Sequence, residues 1–175
     1  MNRRVIGLTL VELMVVLAMM AVVTSLAAPS FRSLWVKRSV LLAAEALLGD
    51  LRYARSEALK RGRPVLLCQS SNGTTCSQDR AGWADGWLVF VDSNAAGPAK
   101  ALLRVQSTLP ALATIVSNVS TGHGITYQAT GSAKSAAQTI LFTPAGSESP
   151  DSIRALCISL QGRARVGSAG ATSCS

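Results

Sequence analysis

The segment LTLVELMVVLAMMAVVTSLAA, residues 8–28, is apolar at every position except Thr9, Glu12, Thr24 and Ser25. About twenty such residues suffice to cross a bilayer as a helix. Arg3 and Arg4 stand just before it. By the positive-inside rule they hold the N-terminus in the cytoplasm and place everything after Pro29 outside it. A secretory signal has a shorter apolar core with a small-residue cleavage site behind it, which Ala27 and Ala28 would mimic. Two features oppose that reading. The apolar run begins abruptly after Gly7, and it carries an acid, Glu12, near its cytoplasmic end. A carboxylate facing lipid costs about 2.5–3.5 kcal/mol, so an acid within a membrane calls for a partner. A cation on a neighbouring subunit is the natural one.

Downstream, residues 30–61 become amphipathic, with Leu34, Leu41, Ala44, Leu48, Leu51 and Ala58 three, four or seven positions apart. That is one face of a helix. Continued from the apolar run, it predicts a rod of roughly 80 Å at 1.5 Å per residue. Pro29 removes a helical hydrogen bond and disfavours helix at Ala28, so a bend or local melting is expected there. Arg55 falls inside the apolar stripe and must fold over the surface or pair. Glu57 can meet Lys60 or Arg61 one turn later. Gly62 and Pro64 end the helix.

Beyond Pro64 the period shortens. Residues 65–69, 87–91, 102–106, 114–117, 125–128, 138–143 and 156–160 read as strands, separated by turns at 71–73, 94–98, 121–124 and 144–146. Leu156, Ile158 and Leu160 alternate as a buried strand face. The fold class expected is α+β, with one long N-terminal helix, kinked near Pro29, packed on an antiparallel head. The segments are residues 8–29 for the apolar helix, 30–63 for its amphipathic half and 64–175 for the head.

A chain of 175 residues suits one such head plus an appendage, since a single core organises on the order of 100–200 residues. Being 49% hydrophobic and 15% charged, it is too apolar to be disordered. Lys and Arg number 17 against 9 Asp and Glu, a net charge of +8. That excess attracts DNA, anionic lipid or acidic polysaccharide without choosing among them. Cys68, Cys76, Cys157 and Cys174 are an even set in an exported chain, which favours disulfides. They allow three pairings; Cys68 with Cys76 and Cys157 with Cys174 close the shortest loops. No metal site is expected, because C-x-x-C is missing and the single histidine, His123, sits in a Gly-flanked turn. Without paired carboxylates, a triad context or a phosphate loop, neither an enzyme nor a cofactor is expected.

Gly7-Leu8-Thr9-Leu10-Val11-Glu12-Leu13 resembles the cleavage and methylation motif of type IV prepilins and type II secretion pseudopilins, with Leu8 in place of the commoner Phe. The resemblance implies that residues 1–7 are a leader, that a prepilin peptidase cuts after Gly7 and methylates the new amino terminus on Leu8, and that Glu12 attracts the N-terminus of the adjacent subunit during assembly. It further implies a single-pass inner-membrane protein with a periplasmic head, later part of a pilus or pseudopilus. Residues 53–58, 86–92 and 142–146 extend the likeness to the GspH and FimT/FimU family of minor pilins and pseudopilins.

Near the C-terminus, Gly162-Arg163-Ala164-Arg165 is similar to the DNA-binding motif of FimT-type minor pilins acting in DNA uptake during natural transformation. On an extended backbone the two arginines point to one side about 6.6 Å apart, where guanidiniums grip successive phosphates. Lys134 and Arg154 are further candidates for the patch. The competing reading is a structural minor pilin or GspH-like secretion pseudopilin that primes or caps a filament without touching DNA.

Overall fold

Thr9 starts the helix: its carbonyl accepts the Leu13 N–H at 3.2 Å, and its hydroxyl accepts the Glu12 N–H at 3.3 Å. Thr9-x-x-Glu12 is thus a capping sequence, and an acid in the first turn suits the positive end of the helix dipole. The computed structural model describes residues 9–77, 82–91, 101–109, 113–117, 124–134, 137–144 and 149–174. Gly7, Leu8 and His123, with most of the 94–98 and 121–124 turns, lie outside the described residues. Helix α1 (Leu10–Arg61) has 52 residues and stays helical through Pro29, so the proline does not melt it.

The chain divides into two units, Met1–Trp35 and Val36–Ser175. In the first, the helix exposes apolar side chains all round, Leu10, Met14, Leu17, Met20 and Val23 among them. Phe31 and Trp35, one turn apart, tilt against each other at 6.4 Å between ring centres. No helix among the described residues is long and apolar enough to cross a membrane. The expected span over residues 8–28 is described at its side chains only from residue 9 to residue 25, short of the twenty or so that a bilayer requires.

In the second unit, α1 buries Val40, Ala44, Leu47, Leu51, Ala54 and Ala58, each with no exposed surface. The spacing alternates four and three, one face of a helix. This corrects the sequence-derived stripe: Ala44, Leu51 and Ala58 belong to it, whereas Leu34 is exposed and Leu41 and Leu48 are half-buried. The segment is rich in Leu and Ala on more than one face, and the chosen face is the one whose small residues let other elements approach closely. After Arg61 the backbone turns at Gly62, whose φ of 61° is a left-handed conformation open to glycine at little cost. Glu57 accepts a hydrogen bond from Arg61 Nε, which holds its carboxyl below the usual carboxylate range.

The described strands form two antiparallel four-stranded sheets. The first has the order β3-β2-β1-β5, with β1 (Val65–Gln69), β2 (Trp87–Val91), β3 (Leu102–Gln106) and β5 (Ile125–Tyr127). The second runs β4-β6-β7-β8, with β4 (Ala113–Ser117), β6 (Gln138–Pro144), β7 (Arg154–Ile158) and β8 (Ala164–Val166). One hydrophobic cluster joins the α1 face to both sheets through Leu67, Trp87, Ile125, Ile140, Phe142 and Leu156. Strand β7 begins and ends two residues earlier than its alternation suggests, so Leu160 is exposed rather than part of a buried strand face. The reason is the turn that follows, which needs the chain to leave the sheet after Ile158.

Asp50 is buried on the same helix face. Its Oδ2 accepts the Trp87 indole N–H at 2.7 Å, and its Oδ1 accepts from Arg104 Nη1 on β3. The Arg104 guanidinium also lies 4.2 Å over the Tyr53 ring. One carboxylate thus ties the helix to two neighbouring strands. Asp50→Ala strands the buried indole donor and should cost roughly 2 kcal/mol. Arg104→Ala leaves the buried Asp50 carboxylate with the indole as its one remaining donor among those described and should cost at least as much, roughly 2–3 kcal/mol. Chemical denaturation followed by tryptophan fluorescence measures both, and a loss below about 1 kcal/mol for Arg104→Ala would contradict the role of the guanidinium.

Candidate nucleic-acid interface

The arginine pair is carried by a tight turn between β7 and β8. Gly162 N–H donates to the Ser159 carbonyl at 2.9 Å, and Ser159 N–H donates to the Arg163 carbonyl at 2.9 Å. Arg163 N–H also reaches Ser159 Oγ at 3.2 Å. Gly162 has φ of 77°, and a Cβ there would stand 2.1 Å from the Gly131 carbonyl oxygen. Only glycine fits, on conformational and steric grounds alike. A second turn, 128–131, is therefore pressed against this one, and Ala133 N–H donates to the Leu160 carbonyl at 3.0 Å.

Pairing of β8 with β7 sets Leu156 opposite Val166, Cys157 opposite Arg165 and Ile158 opposite Ala164. Ala164 and Val166 pack on the core. Alternation along an extended chain sends Arg165 to the other face, with Cys157. Arg163 and Arg165 are both exposed, and both line one concavity of about 660 Å³. Lys134 and Arg154 do not line it. Arg154 instead donates to the Asp151 and Ile153 carbonyls.

Two further arginines line the same concavity, Arg52 and Arg55 of α1. Three residues apart, they share a helix face. Arg55 Nη2 donates to the Gln161 carbonyl at 3.0 Å across 106 residues of sequence, so the arginine inside the apolar stripe supports the turn that presents Arg163. The sequence signal was a cation within a run of small and apolar residues; it named the anomaly without naming its partner.

The floor is apolar and includes the Cys157–Cys174 disulfide. That bond closes a separation of 17 residues, which on chain-entropy grounds stabilises by about 3 kcal/mol. Gly167 N–H to the Ala155 carbonyl at 2.7 Å and Gly170 N–H to the Ile153 carbonyl at 3.1 Å hold the returning tail to β7. The other bond, Cys68–Cys76, closes a loop in which Asn72 Oδ1 accepts the Thr74 and Thr75 N–H groups. Among the described residues no cluster of His, Cys, Asp and Glu is arranged to hold a metal ion.

Tyr127 of β5 also borders the concavity. Its side chain is fully buried, and its hydroxyl has no hydrogen-bond partner. Burial pushes the phenol up to about 12, with the positive charge of Arg55 acting in the opposite direction.

A family model described as Type II transport protein GspH matches residues 43–169, well over half of the chain. The chain belongs to the GspH family. A second model, the prokaryotic N-terminal methylation motif, matches residues 2–28. Among solved structures, the type IV minor pilin FimU of Pseudomonas aeruginosa PAO1 in its P65 crystal form is 26% identical, with a TM-score of 0.55 over 73% of this chain and 91% of that one. Its P21 form is 25% identical, with a TM-score of 0.57 over 77% and 96%. The minor pseudopilin EpsH of the Vibrio cholerae type 2 secretion system shares the fold at 12% identity, with a TM-score of 0.55 over 74% and 97%. A search of the curated proteins found no match. The chain is a minor pilin or pseudopilin of the GspH and FimT/FimU type, and the family works in association with other pilins and a membrane assembly machinery.

Two outcomes follow from the turn and the tyrosine. Gly162→Ala should lower the thermal midpoint and weaken any ligand that uses Arg163, because the added methyl collides with the Gly131 carbonyl; an unchanged midpoint would contradict the packing of the two turns. The folded phenol of Tyr127 keeps its proton above the ordinary value near 10, so its contribution to stability is complete below about pH 10 and is lost as pH rises through about 12. In a tyrosinate absorbance titration one of the two tyrosines should ionise only near that upper value, and Tyr127→Phe should remove the late step.

Proposed function

We propose that this minor pilin is incorporated into a type IV pilus and binds DNA without sequence preference through Arg163 and Arg165, in the uptake of DNA during natural transformation. The observation that supports the reading is that both arginines line one concavity at the β8 side of the second sheet. Two planar, permanently charged forks so placed suit phosphate oxygens, whichever bases lie behind them. The net charge of +8 supports approach by a polyanion. Gly162 supplies the turn, and the Cys157–Cys174 bond secures the strand that presents the pair.

In the same reading, the prepilin peptidase cuts after Gly7 and methylates Leu8. Residues 8–28 anchor the chain once in the inner membrane, with the head in the periplasm, until the helix enters the filament. Glu12 then meets the methylated N-terminus of an adjacent subunit, which relieves the cost of an acid in an apolar setting. The second reading, a structural minor pilin or secretion pseudopilin that primes or caps the filament, draws on the GspH description of the family model and on the EpsH-like fold.

Fluorescence anisotropy with the full chain in neutral detergent and a short labelled duplex separates the two. Replacing Arg163 and Arg165 together by Ala should weaken binding for every sequence tried and reduce the slope of log affinity against log salt by about 1.8, at about 0.9 per phosphate contact. Unchanged affinity and slope in a folded double variant would leave the structural reading.

A further inference from the structure

In the first unit of the chain, Phe31, Leu34 and Trp35 of α1 are 63%, 62% and 61% exposed. Spacings of three and four residues put them on one helix face, and the Phe31 and Trp35 rings stand 6.4 Å apart with a tilt of 55°. Three large apolar side chains gathered on one exposed face mark a contact surface. The other two tryptophans, Trp83 and Trp87, are buried in the head, so the exposed indole is the one beside the apolar run. Charge narrows what can cover this face. From Leu13 to Ala44 the sequence holds no Asp or Glu, whereas Arg32, Lys37 and Arg38 stand in its second half. A stretch of one sign repels a second copy of itself and draws an anionic surface.

We infer that Phe31, Leu34 and Trp35 seat in the headgroup layer of an acidic phospholipid bilayer, at the outer end of the anchoring helix. The inference rests on the membrane anchoring proposed above and deepens it from a span to a fixed depth. At helical rise, residues 8–28 cover about 31 Å, close to the ~30 Å of a hydrocarbon core. Phe31 and Trp35 then follow the end of that core by about 5 and 10 Å. Helical side chains lean toward the N-terminus, which brings both rings back over the headgroups. An indole joins an apolar ring to an N–H donor and is favoured where one side is hydrocarbon and the other is wet. Cations next to such a belt attract lipid phosphate. Glu45 is the first acid after Glu12, so no carboxylate in between opposes that attraction. The seat sets how much of the helix is immersed before it enters a filament.

The experiment reconstitutes the full chain in vesicles of equal parts phosphatidylcholine and phosphatidylglycerol, with bromine placed either near the acyl carbonyl or near the chain end. Trp83 and Trp87 are 1% and 0% exposed and give the same background in wild type and Trp35→Phe, so the difference in emission reports Trp35. The shallow bromine should quench that emission about threefold more than the deep one, as for a ring at headgroup level. In Phe31→Ser/Leu34→Ser the shallow quenching should fall roughly twofold, since interfacial binding scales with buried apolar area. Both side chains are exposed, so the thermal midpoint of that variant should not move. In phosphatidylcholine alone the shallow quenching of wild type should also fall.

If the wild-type chain does not float with the vesicles, membrane anchoring fails and the seat fails with it. If it floats while Trp35 is quenched by acrylamide from the water and by neither bromine, anchoring survives and the seat is overturned. Stronger quenching by the deep bromine overturns it too, because Trp35 then lies in the hydrocarbon. Shallow quenching that fades as the number of chains per vesicle rises assigns the face to a second copy of the helix and overturns the lipid. Unchanged shallow quenching in the Phe31→Ser/Leu34→Ser variant removes those two residues from the seat. Equal shallow quenching with and without phosphatidylglycerol overturns the preference for acidic headgroups.

Discussion

Val40, Ala44, Leu47, Leu51, Ala54 and Ala58, alternating four and three residues apart on α1, form the surface on which both sheets of the head close. Three of the six are alanines, and their small size decides the packing distance as much as the leucines decide the adhesion. Burying a leucine contributes on the order of 1.5–3 kcal/mol, while an alanine contributes less but lets a neighbouring element come in close. A larger residue at Ala44 or Ala54 would overpack this contact and displace a strand. The head is thus built outward from one helix face, and what the head can present depends on where that face puts each strand.

Polar residues on or beside the same face act as locators. Asp50 takes hydrogen bonds from two neighbouring strands, fixing β2 and β3 against the helix. Arg55 does the same for the opposite sheet through the turn after β7. Such contacts add little net free energy when made and cost much more when broken, which suits them to specifying an arrangement that apolar packing leaves open. The Cys157–Cys174 bond and the tail hydrogen bonds secure the outer side of the same strand. Both ends of the segment carrying Arg163 and Arg165 are held, so the pair stands on a rigid support although it sits at a sheet edge. Charge at an edge strand also discourages pairing with other chains.

Much of the fold was legible in the residues. Strands β1, β2 and β3 occupy the residues their alternation indicates, because period and turn chemistry are local properties. Strand β8 is harder to read: four residues between glycines give too short a pattern, and it is the pairing with β7 that makes three of them a strand. The stripe on α1 was misphased for a related reason. In a Leu- and Ala-rich helix several faces are nearly equal in hydropathy, and the face that is buried is set by the partner.

The amino-acid order by itself determined the long helix, the head of short antiparallel strands, the capping Thr9-x-x-Glu12 start and the Gly162-Arg163-Ala164-Arg165 element, since each rests on residues within a few positions of one another. Tertiary structure alone decided that Arg52 and Arg55 join that element around one hollow, and that the Tyr127 hydroxyl is buried beside it. The Arg55 to Gln161 contact spans 106 residues, and no periodicity or spacing carries information over that distance. Only the closing of two sheets on one helix face brings those charges together.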